Sequence, residues 1–155
     1  MNISKACARF GRLRAAGALV DPDELDEIWQ AFECLRPEEV TGDWRGIEFD
    51  TGHLRNGQSD SVAWYRKTFE SLLDARPLMC RDDDSALYSS VEPGQSEVTL
   101  WSVEFRGETA TTMVRDGRPL FDQAKKVDDG TLTWIMNGEG RLHQERHLSF
   151  SLDRD

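Results

Sequence analysis

Residues 97–138, EVTLWSVEFRGETATTMVRDGRPLFDQAKKVDDGTLTWIMNG, decide the fold, because side-chain character alternates between regularly spaced turn signals. Within 98–105, Thr99, Trp101, Val103 and Phe105 share one face and Val98, Leu100, Ser102 and Glu104 the other. Within 131–136, Leu132, Trp134 and Met136 oppose Thr131, Thr133 and Ile135. A period of two belongs to strands. Gly107, Asp116-Gly117, Asp128-Asp129-Gly130 and Asn137-Gly138 supply hairpin chemistry between them. Downstream, Leu148, Phe150 and Leu152 alternate with Ser149 and Ser151; upstream, SALYSSV at 85–91 reads as one more short strand. With a strand at 41–49, about seven to eight strands result, and successive hairpins close most economically into an antiparallel barrel or strongly curled sheet. The bulky side chains Trp101, Phe105, Met113, Trp134 and Met136 then form either a core or a cavity wall.

The N-terminal part has another rhythm. Ile3, Cys7, Phe10, Leu13 and Gly17 recur at helical spacing, with basic residues opposite. In VDPDELDEIWQAFECLRP, Asp21 suits the cap, Pro22 the first turn and Glu24 a capping box, with Pro37 after the end. Its stripe is Leu25, Ile28, Trp29, Phe32 and Leu35. A third helix is expected over 60–73, from Val62, Tyr65, Phe69, Leu72 and Leu73 on one side. The expected chain is a single α+β domain, 1–155, with a helical segment at 2–38, a strand and inserted helix at 39–82, and barrel strands at 83–155.

The stretch TGDWRGIEF, 41–49, gives up two side chains beside a tryptophan. In an unbroken strand Gly42, Trp44 and Gly46 project to one face, leaving room beside the indole. A bulge at Gly46 would instead turn Ile47 and Phe49 to the Trp44 face. A tryptophan at the start of a barrel's first strand plugs one end under an arginine from a late strand, for which Arg106, Arg146 and Arg154 are candidates. The other reading puts Trp44 against a ligand.

The pentad GDWRG with GIEFDTGH, followed by the block from Val103 to Gly138, resembles a bacterial family defined by a GXWXG motif and a following C-terminal domain of uncharacterised function. The similarity runs from about residue 25 to the end. It implies a calycin-like β-barrel, of the lipocalin and fatty-acid-binding-protein kind, with helices at one end and a hydrophobic ligand inside. The chain departs from the family pattern in reading Asp122-Gln123-Ala124 for an Asp-His-Phe run, and Met136-Asn137-Gly138 for Met-Asp-Gly. Chemistry resting on that histidine and second aspartate is therefore not expected.

The chain has 155 residues and a net charge of −10, which disfavours nucleic-acid binding. Three widely spaced cysteines suit reduced thiols in the cytoplasm rather than a disulfide framework. No signal peptide is expected, and the basic first helix suits a solvated face better than a membrane surface. No cofactor or metal is implied: His143 and His147 lack a third ligand, and RDDDS at 81–85 lacks the glycine turn and closing glutamate of a calcium loop. His53, between glycines, suits acid/base or head-group contact. Arg106 and Asp122 interrupt apolar strands, so each points outward or pairs at a barrel mouth, and Phe121 joins the candidate wall. The function expected is binding of a hydrophobic small molecule or lipid, such as a fatty acid or phospholipid, against Trp44, His53, Trp101, Phe105, Arg106, Met113, Phe121, Trp134 and Met136. The alternatives are a barrel enzyme cyclising or isomerising a hydrophobic intermediate, with His53 or Asp122 as candidate catalytic groups, and an acidic interaction module with a filled core. An open edge strand would permit a homodimer.

Overall fold

The computed structural model describes residues 1–54, 56, 64–81, 87–89, 98–115 and 119–155, with the backbone alone at 64–66, 76–81 and 87–89. Two helices, α1 (Ile3–Ala16) and α2 (Pro22–Ala31), lead through a 3-10 turn at Pro37–Val40 into the strands. These are β1 (Gly42–Glu48), β2 (Trp64–Ser71), β3 (Asp74–Arg81), β4 (Leu87–Ser89), β5 (Val98–Phe105), β6 (Glu108–Arg115), β7 (Phe121–Asp128), β8 (Thr131–Met136) and β9 (Leu148–Arg154). All pairings are antiparallel, in the order β2-β1-β9-β8-β7-β6-β5-β3, and β2 pairing with β3 closes the ring. Eight strands thus make a closed barrel, and β4 adds to the outer part of β3. Closure removes the sheet edges that would otherwise invite pairing with another chain.

Residues 64–71 form a strand where a helix is expected. The helical stripe from Val62 to Leu73 competes with a second pattern, in which Tyr65, Lys67 and Phe69 alternate with Arg66, Thr68 and Glu70. Tertiary pairing decides, since β2 is hydrogen-bonded on both sides, to β1 and β3. Residues 57–63 lie outside the described part, as do 82–86, with most of RDDDS, and the Asp116-Gly117 turn. β3 contains Pro77, which falls where the β2–β3 register shifts between Arg66 and Thr68; a residue without an N–H fits a bulge and not a regular ladder.

Asn137-Gly138 is not a tight hairpin. The β8–β9 connection runs from 137 to 147 and folds back so that Gly138 bridges Leu120 and the Asn137 carbonyl accepts from the Phe121 N–H at 3.0 Å. Gly138 has φ +128°, and a Cβ there would lie 1.9 Å from the Pro119 carbonyl oxygen, so only glycine permits this approach.

The helices cover the barrel's outer face. Ala6 and Phe10 of α1 and Leu25 and Ile28 of α2 pack with Phe32, Phe49 and Val127 into one apolar layer. Asn2 caps α1 through the Lys5 N–H, and Asp21 caps α2 through the Asp23 N–H. Glu24 forms no capping box, because its carboxylate accepts from Arg9 Nε at 3.0 Å. Two basic residues of α1 are engaged within the chain, Arg9 also reaching Glu27 and Arg14 binding Asp153 on β9, while Lys5 and Arg12 are exposed. α2 stops at Ala31, and Leu35 turns into the barrel interior.

The strand at 42–48 is unbroken. Gly46 pairs with Leu152, Ile47 with Ser151 and Glu48 with Phe150, so Ile47 faces solvent and Phe49 lies under the helices. The arginine that covers Trp44 is Arg154, its guanidinium carbon 4.1 Å from the ring centroid. Arg154 also donates to the Thr41 and Glu39 carbonyls at 3.0 and 3.1 Å, and Trp44 Nε1 donates to Val40 at 2.7 Å. A Cβ on Gly42, whose φ is +121°, would sit 2.8 Å from Arg154 Nη1. The pentad's first glycine therefore makes room for the arginine that caps the indole.

Candidate functional site

Strand parity fills the interior with Trp44, Phe69, Val98, Leu100, Met113, Ala124, Leu132, Trp134, Phe150 and Leu152. Trp134 lies between Phe69 and Phe150, the three rings almost parallel, with centroids 6.4 and 6.0 Å apart. This is an apolar floor, and charges are set into it. Asp122, at 0% exposure, faces inward from β7 beside Ala124. Arg115, on the inward face of β6, approaches Asp122 Oδ2 at 3.5 Å. Lys67, 4% exposed, projects inward from β2 with Nζ 5.5 Å from the Phe150 ring centroid. Glu48, from the end of β1, is close enough to favour the charged form of Lys67.

Burial governs the electrostatics. It lowers the Lys67 pKa to about 7, assisted by the positive charge of Arg115 and opposed by Asp122 and Glu48. It raises the Asp122 pKa, against the pull of Arg115 and Lys67. The cluster is incompletely satisfied: among the described residues, Asp122 Oδ1, Arg115 Nε and Trp134 Nε1 are buried without a hydrogen-bond partner. Such atoms are uncommon in folded proteins and mark places where water or a ligand group completes the structure.

Lys125, on β7, is a second buried lysine. It is as deeply buried, on the outer face of β7, yet Glu108 accepts from it at 2.5 Å and the Trp29 ring lies 5.9 Å away. That is a lysine with its charge accommodated beneath α2.

The expected wall divides. Met113, Trp134 and Met136 face inward, Met136 partly buried against the core. Trp101 does not: it is 51% exposed on the outer face, its Nε1 donating to Thr99 at 2.7 Å. Phe105 is also outside, edge-on to Trp29 and to His147, because the 98–105 face that meets the interior is that of Val98 and Leu100. Phe121 is 40% exposed, since placing Asp122 inward turns its neighbour out. Arg106 lies in the β5–β6 turn with φ +52° and pairs with Asp26 at 3.0 Å, so it does not meet Asp122.

His53 is buried in the loop after β1, Nε2 lying 3.0 Å from the Arg141 carbonyl oxygen and its ring 5.6 Å from that of His143. Asn56 completes this fastening, bonding the Thr51 and His53 N–H groups and the Phe49 carbonyl. His53 thus ties two loops together. His147 contacts Asn137 Oδ1 at 3.2 Å; burial and then Arg106 lower its pKa. Among the described residues no group of His, Cys, Asp and Glu side chains could hold a metal.

At the Trp44 end a surface groove of about 330 Å³ is lined by Glu38, Glu39, Asp128 and Asp129 with Lys126 and Arg154. Its two cations are engaged, Lys126 lying 2.7 Å from Asp129 and Arg154 bonding the Thr41 and Glu39 carbonyls. Buried polar atoms without a hydrogen-bond partner also occur outside the interior, at Gln123 Oε1 and Ser151 Oγ on the outer faces of β7 and β9, but the interior is where they gather around buried charges.

Lys67, Arg115 and Glu48 are site residues the sequence reading does not single out. The alternation around Lys67 could have found it, because Lys67 shares a face with Phe69 once 64–71 is a strand.

The comparisons agree with the fold. The family model described as "GXWXG protein" matches residues 27–85, and that described as "Domain of unknown function (DUF4334)" matches 96–154. A solved structure, "Crystal structure of protein from Thermomonospora curvata", is similar with a TM-score of 0.86 and 28% identity over 97% of this chain and 99% of that one. No curated protein matches the chain. Among the described residues no helix is long and apolar enough to cross a membrane.

Proposed function

We propose that this chain, which carries a GXWXG segment followed by a DUF4334 domain, binds a compact apolar molecule with one polar end inside its barrel. One observation carries the reading: a fully buried carboxylate, Asp122, keeps an oxygen without a partner while the neighbouring Arg115 Nε and Trp134 Nε1 are also unsatisfied. A purely structural core gains nothing from this arrangement, since each orphaned polar group costs about 1–3 kcal/mol. The apolar body would lie against Phe150 and Met136, and the polar end would meet Asp122, Arg115 and Lys67. Close packing of Trp134, Phe69 and Met113 favours a short ligand over a long acyl chain. Burial of each ligand CH₂ would contribute about 0.8 kcal/mol. A catalytic reading uses the same groups, because shifted pKa values at a buried pair also characterise active sites.

Native mass spectrometry of the purified chain followed by solvent extraction tests the proposal. A bound small molecule at one per chain is expected, and Asp122→Asn or Arg115→Met should weaken its rebinding about 10–100-fold, the range of one charge-assisted hydrogen bond. A clean apo mass with no uptake from a panel of apolar acids, alcohols and aldehydes overturns it.

A further inference from the structure

We infer that Lys67 forms a reversible imine with the carbonyl group of an apolar aldehyde or ketone held in the barrel, Asp122 passing the protons. The inference rests on the ligand-binding reading above and gives that site a substrate class. The sequence contains four lysines. Lys5 is exposed on α1, Lys125 is held by Glu108 under α2, and Lys126 is held by Asp129 and Glu39 at the groove. Lys67 is the one set into the aromatic interior, over Phe150.

Its surroundings suit a nucleophile better than a permanent cation. Lys67 is almost wholly withdrawn from water and shares its interior with a second cation, Arg115, which already binds Asp122. Desolvation and a neighbouring positive charge are the two means by which an amine is kept neutral and reactive near pH 7. The pKa near 7 agrees with both. Glu48 and Asp122 oppose the effect without reversing it.

The chemistry balances within the cluster. The Lys67 nitrogen lone pair adds to the carbonyl carbon, the C=O π pair moves to oxygen, and that oxygen takes a proton from Asp122, whose raised pKa favours the acid form. The added nitrogen returns its surplus proton to the Asp122 carboxylate. The carbinolamine hydroxyl then leaves as water with a proton from Asp122, the nitrogen pair forming an iminium whose N–H proton returns to the Asp122 carboxylate to leave the imine. One C=O and one amine give one imine and one water, with no oxidant or reductant.

The test uses the full chain with cinnamaldehyde and sodium cyanoborohydride at pH 7, read by intact mass and peptide mapping, alongside tryptophan-fluorescence titration with cinnamyl alcohol. One reduced adduct is expected, mapped to Lys67 and formed at least tenfold faster than at Lys5 or the N-terminal amine. Asp122→Asn should slow trapping at Lys67, and Lys67→Arg should abolish the interior adduct. Should Lys67→Arg fail to fold, the wild-type peptide map decides alone. Adducts at surface amines only, or none while cinnamyl alcohol binds, overturn the imine and leave the binding reading standing. If neither compound binds and extraction yields no ligand, both fall.

Discussion

The two poles of the barrel interior treat charge in opposite ways. The groups that close the Trp44 end are satisfied: the indole N–H meets Val40, and Arg154 stacks on the ring while its N–H groups meet the Thr41 and Glu39 carbonyls. Around Asp122 the cations and carboxylates crowd together, the Arg115–Asp122 contact is long at 3.5 Å, and polar atoms remain orphaned. The first arrangement is a closure, and the second is the one proposed to receive another molecule. Strongly perturbed, partly satisfied clusters inside well-packed folds gather at functional sites, and this is the ground of the binding proposal.

The largest expected effect lies at the closed pole. Trp44→Ala removes a fully buried indole together with its hydrogen bond and cation–π contact. A loss of about 3–5 kcal/mol is expected, measured by urea unfolding, as for other aromatic-to-alanine core substitutions. A loss under about 1 kcal/mol would mean that the pentad's tryptophan does not close the barrel, and the contrast between the poles would disappear.

The strands of the closed pole were legible because a local pattern carried them. Alternation in 98–105, 131–136 and 148–152 gave the barrel, and Gly42-Trp44-Gly46 parity gave a plug under a late arginine. The open pole was less legible for two physical reasons. Residues 64–71 satisfy a helical stripe as well as a strand alternation, and only pairing with β1 and β3 chooses between them. β7 is buried on both faces, inward through Asp122 and Ala124 and outward through Gln123, Lys125 and Val127 under the helices, so apolar alternation could not tell inside from outside. The same ambiguity put Trp101 and Phe105 on the wrong face: the bulkier side of β5 is the one that meets α2 and solvent.

A smaller effect sharpens the contrast at the open pole. Lys67 has a folded pKa of about 7 against an ordinary lysine value of 10.5, so between those pH values the unfolded chain carries the extra proton. Stability then rises with pH through this window, by at most about 1.4 kcal/mol per pH unit for one proton. In Lys67→Met that slope is absent, while Asp122 keeps Arg115 as its partner. The variant's stability relative to wild type should be most favourable at or below pH 7 and lose that advantage toward pH 10.5, followed by urea midpoints across the range. Asp122 has the opposite linkage: its raised pKa makes stability fall as pH climbs above 3.8, and Asp122→Asn should remove that fall. Parallel pH profiles for wild type and Lys67→Met would show that Lys67 is charged in the fold, and the open pole would then be an ordinary ion cluster.

The smallest effect concerns Arg106, which the sequence offered as a partner for Asp122 and which the fold places in the β5–β6 turn against Asp26. Both partners are about one-third exposed, and such a pair is worth about 0–1 kcal/mol. Arg106→Ala should therefore cost little in urea unfolding and leave cinnamyl alcohol affinity unchanged, because no part of the Arg106 side chain belongs to the interior. It should nevertheless be visible locally. Arg106 is, after burial, the principal cause of the lowered His147 pKa, so its removal should move the His147 titration upward by NMR without touching Lys67. A change in ligand affinity equal to that of Arg115→Met would put Arg106 at the mouth after all. An upward His147 shift with unchanged affinity separates the outer face, where Arg106 tunes a histidine, from the interior, where Arg115 and Lys67 are proposed to face the ligand.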